Sequence, residues 1–228
     1  MNIKENIEAV RADISAAAAR SGRNENDILL IAVSKTYPAE DIKAALDCGI
    51  TDIGENKVQE MCLKKPLLPQ NTKIHLIGHL QTNKVKQALG AACMIHSVDS
   101  VHLAKEISKE SVKEGKITDI LLQINIADDG AKFGFSKEET DEALGEIETL
   151  PALNIRGFMT VPSVETDESV TRKYFRDMFS LYDKYKNAKN FDCLSMGMSG
   201  DFEIAVEEGA TMVRVGSKIF GKRNYNIK

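Results

Sequence analysis

The stretch "ILLIAVSKTYPAEDIKAALDCGITDIGE", residues 28–55, contains one full turn of the pattern that sets the fold. It opens with an apolar, β-branched run at 28–34, the composition of a strand buried on both faces. The run stops on Lys35, and Pro38 follows. "AEDIKAALDCG" then has helical periodicity, and "TDIGE" at 51–55 is β-type again. Strand, helix, strand in this spacing is a parallel crossover unit.

The alternation continues to the end of the chain. Further β-type runs occur at 73–78, 93–98, 119–126, 153–160, 192–197 and 211–216, with helical segments such as "VHLAKEISKESVKEG" and "KYFRDMFSLYDKYK" between them. Eight strands alternating with helices predict a parallel sheet, and eight allow it to close. The expected architecture is a single (β/α)8 TIM barrel covering residues 1–228, with an open doubly wound sheet as the alternative. Ahead of it, Ile3, Ile7, Val10 and Ile14 recur at three- and four-residue spacing, so an extra N-terminal helix is expected, with Gly22 as its stop.

Composition excludes several function classes. A net charge of -4 over 228 residues gives no footprint for nucleic acid or for an anionic membrane surface. The N-terminus has no apolar core of signal-peptide type, and no apolar run reaches membrane-spanning length. Cys48, Cys62, Cys93 and Cys193 form no C-x-x-C pair and read as reduced thiols, so a cytoplasmic protein is expected. His75 and His79 lack a third ligand nearby, so no metal site is expected.

In a barrel of this kind chemistry sits where strands end. Strand five places Gln123 and Asn125 on the inward face, either as a water-bridged polar layer or as part of a site. In "TMVRVGSKIFG", Val213 and Val215 face the helices and Arg214 faces inward. A buried guanidinium must be paired, with a carboxylate, a bound anion or a ring nitrogen. Gly216 and Ser217 open the next helix, at the recurrent phosphate position of these barrels. Strand seven adds Ser195 and Ser199; Ser199 reads equally as a phosphate contact or as the cap of the "DFEIAVEEG" helix. Strand two ends at Asn56 and strand three at His79, while Asp99 or Ser100 is expected to cap a helix, and His96 and His102 to be structural. Lys35 shares parity with Ile31 and Val33 and so points into the barrel mouth, beside strand eight. A phosphate cradle, an inward arginine and a rim lysine together suggest pyridoxal phosphate.

The chain resembles the pyridoxal phosphate homeostasis proteins, single-barrel relatives of the N-terminal domain of bacterial alanine racemase. The resemblance rests on "AVSK" at 32–35, "GENKVQE" at 54–60, "HLIGHLQTNK" at 75–84, "INIADDGAKFGF" at 124–135, "GFMTVP" at 157–162 and the long stretch from Leu194 to Arg223. It implies that Lys35 holds pyridoxal phosphate as a Schiff base. It places Ser195, Met196, Ser199, Gly216 and Ser217 at the cofactor, chiefly around its phosphate, with Arg214 near the pyridine ring and Asn56 and His79 alongside. It also implies that Lys132 lies on a loop near the mouth. Lys57 departs from the tyrosine or arginine that relatives often carry there. Members have no firmly established catalytic activity and act in vitamin B6 supply. The expected function is therefore a cytoplasmic, monomeric cofactor-binding protein that buffers pyridoxal phosphate or delivers it to apoenzymes. The alternatives are a weak amino-acid racemase, with Tyr37 or Tyr225 as a second base, and a barrel that binds another phosphate ester.

Overall fold

The computed structural model describes residues 2–127, 133–162 and 167–221. The strands are β1 (Leu29–Val33), β2 (Asp52–Glu55), β3 (Lys73–Leu76), β4 (Met94–Val98), β5 (Thr118–Gln123), β6 (Leu153–Met159), β7 (Cys193–Met198) and β8 (Met212–Val215). Each pairs in parallel with the next, and β1 pairs with β8, so the sheet is a closed barrel and not an open one.

The period of two along each strand divides the apolar residues into two cores. Ile31, Met94, Leu121, Met159, Cys193 and Met212 pack together inside the barrel. Leu30, Ala32, Ile53, Ile95, Leu122, Val213 and Val215 point the other way and join the larger layer formed with the helices. Those helices are α1 (Ile3–Arg20), α2 (Ala39–Asp47), α3 (Val58–Lys64), α4 (Val85–Leu89), α5 (Val101–Lys113), α6 (Thr140–Glu148), α7 (Glu168–Lys189), α8 (Phe202–Glu207) and α9 (Ser217–Phe220).

α1 is the expected extra helix. Asn2 caps it by accepting from the Glu5 N–H, and Gly22 just past its end adopts φ 69°. Its buried face carries Ile7, Val10, Ile14, Ala17 and Ala18, and Asn6 Nδ2 ties it to α9 by donating to the Ile219 carbonyl at 2.8 Å.

One irregularity shapes the mouth. The register of β7 on β8 shifts between Ser195 and Met198, and Gly197 sits in the bulge at φ 89°. A side chain on Gly197 would stand 2.5 Å from the Ala205 Cβ and 3.0 Å from the Phe202 Cα, so glycine lets α8 close against the end of β7. Among the described residues, no helix is long and apolar enough to cross a membrane.

Candidate functional site

The C-terminal strand ends enclose a cleft of about 290 Å³. Val33, Ile77, Val161 and Met198 form its apolar wall, and Lys35, Asn56, Ser199, Arg214 and Ser217 supply its polar groups. Gly200 and Gly216 complete the rim. A larger hollow of about 580 Å³ lies on the outside of the barrel, lined by Leu68, Pro69, Gln87 and their neighbours, and contains none of these strand-end groups.

Arg214 is the base of the cleft and is only 3% exposed. Its Nη1 donates to Ser195 Oγ at 2.6 Å and its Nη2 to the Thr160 carbonyl at 2.8 Å. Both partners are neutral, and no carboxylate of a described residue forms an ion pair with it. Burial pulls its pKa down to about 10, opposed by the Asp201 carboxylate, so it remains charged at neutral pH.

Below Arg214 a chain of polar groups runs through the barrel interior. Ser195 Oγ on β7 meets His96 Nδ1 on β4 at 3.1 Å, a bond that crosses the barrel between non-adjacent strands. His96 Nε2 meets His75 Nδ1 at 2.9 Å, and His75 Nε2 meets Asp52 Oδ1 at 2.7 Å. Burial is the largest influence on His75 and disfavours its charge, but the Asp52 and Cys93 side chains outweigh it and hold the imidazole at about 9. Burial, with the neighbouring charges of His75 and Arg214, keeps His96 neutral. These states fix the direction of every bond. Charged His75 donates to Asp52 and to His96, and His96 donates its remaining N–H to Ser195.

Asn56 directly follows β2, and its Oδ1 is a buried acceptor with no hydrogen-bond partner among the described residues. Gly78 packs against it: a Cβ there would lie 2.4 Å from the Asn56 carbonyl oxygen, so only glycine allows the chain after β3 to pass this close. On the opposite rim Ser199 Oγ accepts from the Gly216 N–H at 3.0 Å, joining the loops after β7 and β8. Ser199 is therefore not the cap of α8. That position belongs to Asp201, whose Oδ1 accepts from the Met198 N–H at 2.5 Å.

The cleft thus brings together Lys35, Asn56, Ser199, Arg214, Gly216 and Ser217. Three other residues expected at the site stand elsewhere. Ser195 is fully buried beneath Arg214. Met196 packs in the outer core, and Met198 lines the cleft in its place. His79 is exposed, bonded to Asp99 at 2.9 Å and stacked on Phe133 with centroids 4.0 Å apart. Gln123 donates to the Phe133 carbonyl, and Ser100, not Asp99, caps α5. Lys132 and Tyr225 lie outside the described residues. Sequence reasoning did not assemble Asp52, His75 and His96 into one chain. Their inward parity on three consecutive strands was the available signal.

The alanine racemase N-terminal domain family matches residues 5–224. The pyridoxal phosphate homeostasis protein of Aquifex aeolicus is 40% identical over 228 residues, covering 99% of this chain and 100% of that one. That of Escherichia coli strain K12 is 38% identical over 232 residues, covering 100% and 99%. The structure of PipY from Synechococcus elongatus with PLP bound superposes with a TM-score of 0.84 at 31% identity, over 96% of this chain and 100% of that one. With a barrel, a cleft and relatives that match from end to end, this chain belongs to the pyridoxal phosphate homeostasis protein family, built on the alanine racemase N-terminal domain.

Proposed function

We propose that this chain binds pyridoxal phosphate in the strand-end cleft, attaches it through Lys35, and buffers or delivers it to apoenzymes without turning over a substrate. The observation that carries this reading is Arg214, a buried cation whose hydrogen-bond partners among the described residues are neutral acceptors, in the same cleft as a lysine amine. A buried charge of that kind needs a complementary ligand. The remaining donors and acceptors fit the cofactor. The hydroxyls of Ser199 and Ser217 offer hydrogen bonds to a phosphate, and the Asn56 Oδ1, unpartnered among the described residues, can accept from a ring substituent. When bound, the cofactor supplies an aldehyde that an amine can hold and a ring that withdraws electrons. Arg214 keeps its proton throughout the neutral range, so a ring nitrogen facing it is held as an acceptor. That arrangement weakens the ring as an electron sink and favours retention over deep carbanion chemistry. Relatives named as homeostasis proteins, and a related chain solved with PLP bound, agree with this reading.

A racemase needs an acid/base group on each face of the bound amino acid. Among the described residues that line the cleft, Lys35 and Arg214 are the titratable ones. The Tyr37 hydroxyl donates to the Gly221 carbonyl at 2.6 Å, and its ring is buried against Phe220. These features favour the carrier reading.

The test is to incubate the purified chain with pyridoxal phosphate, reduce it with borohydride and locate the label by peptide mass. Label on Lys35 supports the assignment, and label elsewhere, or none, overturns it. Lysine-dependent racemisation of alanine, present in the wild type and lost in Lys35→Ala, would instead establish an enzyme.

A further inference from the structure

Lys35 lies between Ser34, just past the end of β1, and Thr36, which adopts φ 71°. A left-handed conformation is rare for a β-branched residue and persists only where surrounding contacts impose it. Two contacts flank the lysine. The Ser34 carbonyl accepts from Lys64 Nζ at 2.7 Å, and the Thr36 N–H donates to Glu60 Oε1 at 2.6 Å. Lys64 also donates to that same Glu60 Oε1 and to Glu55 Oε1, each at 2.7 Å. Its three ammonium protons are thus all committed. The Ser34 hydroxyl in turn donates to Glu55 Oε1 at 2.6 Å.

This cluster is costly. Lys64 is 8% exposed and Glu55 fully buried, and burial pushes the Glu55 carboxyl upward against the pull of Lys64 and Ser34. Taking an ammonium and a carboxylate out of water seldom repays its desolvation in stability alone. Glu60 and Lys64 are one turn apart on α3 and reach the backbone before and after the lysine. Neither lines the cleft. The phosphate-side groups Ser199 and Ser217 follow β7 and β8 and make no part of this cluster.

We propose that Glu60 and Lys64 form a clamp on the backbone on both sides of Lys35, and that this clamp sets where the lysine amine stands in the cleft. They are positioning residues, and the proposal rests on the reading of Lys35 as the attachment point. It predicts that attachment and cofactor affinity can be separated. The former depends on amine placement, the latter on Arg214 and the phosphate cradle.

The experiment compares wild type, Glu60→Ala and Glu60→Gln. One readout is the rate of covalent capture of pyridoxal phosphate on Lys35, with loss of one water, quenched by borohydride and followed by mass. The other is the Kd for pyridoxamine 5′-phosphate, which has the same ring and phosphate but no aldehyde. Glu60→Ala should slow capture about 10- to 100-fold while Kd stays within about twofold. Glu60→Gln retains an acceptor for the Thr36 N–H and should recover most of the rate. Wild-type capture by Glu60→Ala, equal losses in capture and affinity, or no rescue by Glu60→Gln would each overturn the clamp. Absence of capture by the wild type would instead overturn the reading of Lys35.

Discussion

Replacing His75 with Gln should remove a pH dependence from the stability of the barrel. His75 is 3% exposed and bound to Asp52 at 2.7 Å, with its pKa at about 9 against an ordinary value of 6.5. The folded pKa lies above the unfolded one, so the contribution is fully present below pH 6.5 and is lost as the pH rises through 9. At roughly 1.4 kcal/mol per pH unit, the difference comes to about 3 kcal/mol, most of it lost between pH 6.5 and 9. Urea unfolding followed by circular dichroism at half-unit steps across that window measures it. Above that window burial, which pushes the Cys193 thiol and the Tyr182 hydroxyl up to about 12, makes both favour unfolding of either protein. Those groups are common to both proteins and cancel in the difference. The stability gap between wild type and His75→Gln should therefore shrink by about 2–3 kcal/mol from pH 6.5 to 9. A gap that stays constant would show that His75 is not held as a charged partner of Asp52, and the assignment of donors along the interior chain would fall with it.

Two further outcomes separate binding from scaffolding. Arg214→Met exchanges a buried cation for an apolar chain, so it should melt within a few degrees of wild type yet retain pyridoxal phosphate about tenfold less well through gel filtration. Undiminished retention would remove Arg214 from the site. Tyr37→Phe should cost about 1 kcal/mol through the lost bond to the Gly221 carbonyl, and should leave capture on Lys35 at the wild-type rate. A fall in capture would instead bring that hydroxyl into the chemistry.

The barrel was legible because its signal is repeated eight times, and period-two alternation assigned Lys35 and Arg214 to the interior without any knowledge of contacts. Strand ends were less secure. The β-type run at 119–126 outlasts β5, which ends at Gln123. Ile124 and Ile126 stay buried in the outer core after the chain has left the strand, with Ile124 bridged to Phe135, so apolar character continues where strand pairing does not. Met196 was placed at the cofactor by the resemblance alone, and alternation from Cys193 and Ser195 sends it to the outer core, where it packs. The bulge between Ser195 and Met198 instead brings Met198 to the cleft, a local event that alternation does not reveal. His79 was read from its place after β3, but Asp99, beyond the end of β4, engages it. The interior chain and the Lys64 clamp depend on register between strands and on which turn of α3 faces β1. Both are tertiary facts with no short-range signature.

The interior chain has one more consequence. Because Asp52 can only accept and Arg214 can only donate, the bonds at the two ends of the chain are fixed, whereas the His75–His96 and His96–Ser195 bonds can reverse only together. The middle of the interior therefore behaves as a keyed shaft and not as a set of independent contacts. Substitutions at His75 and Ser195 should then be non-additive, although His96 stands between them.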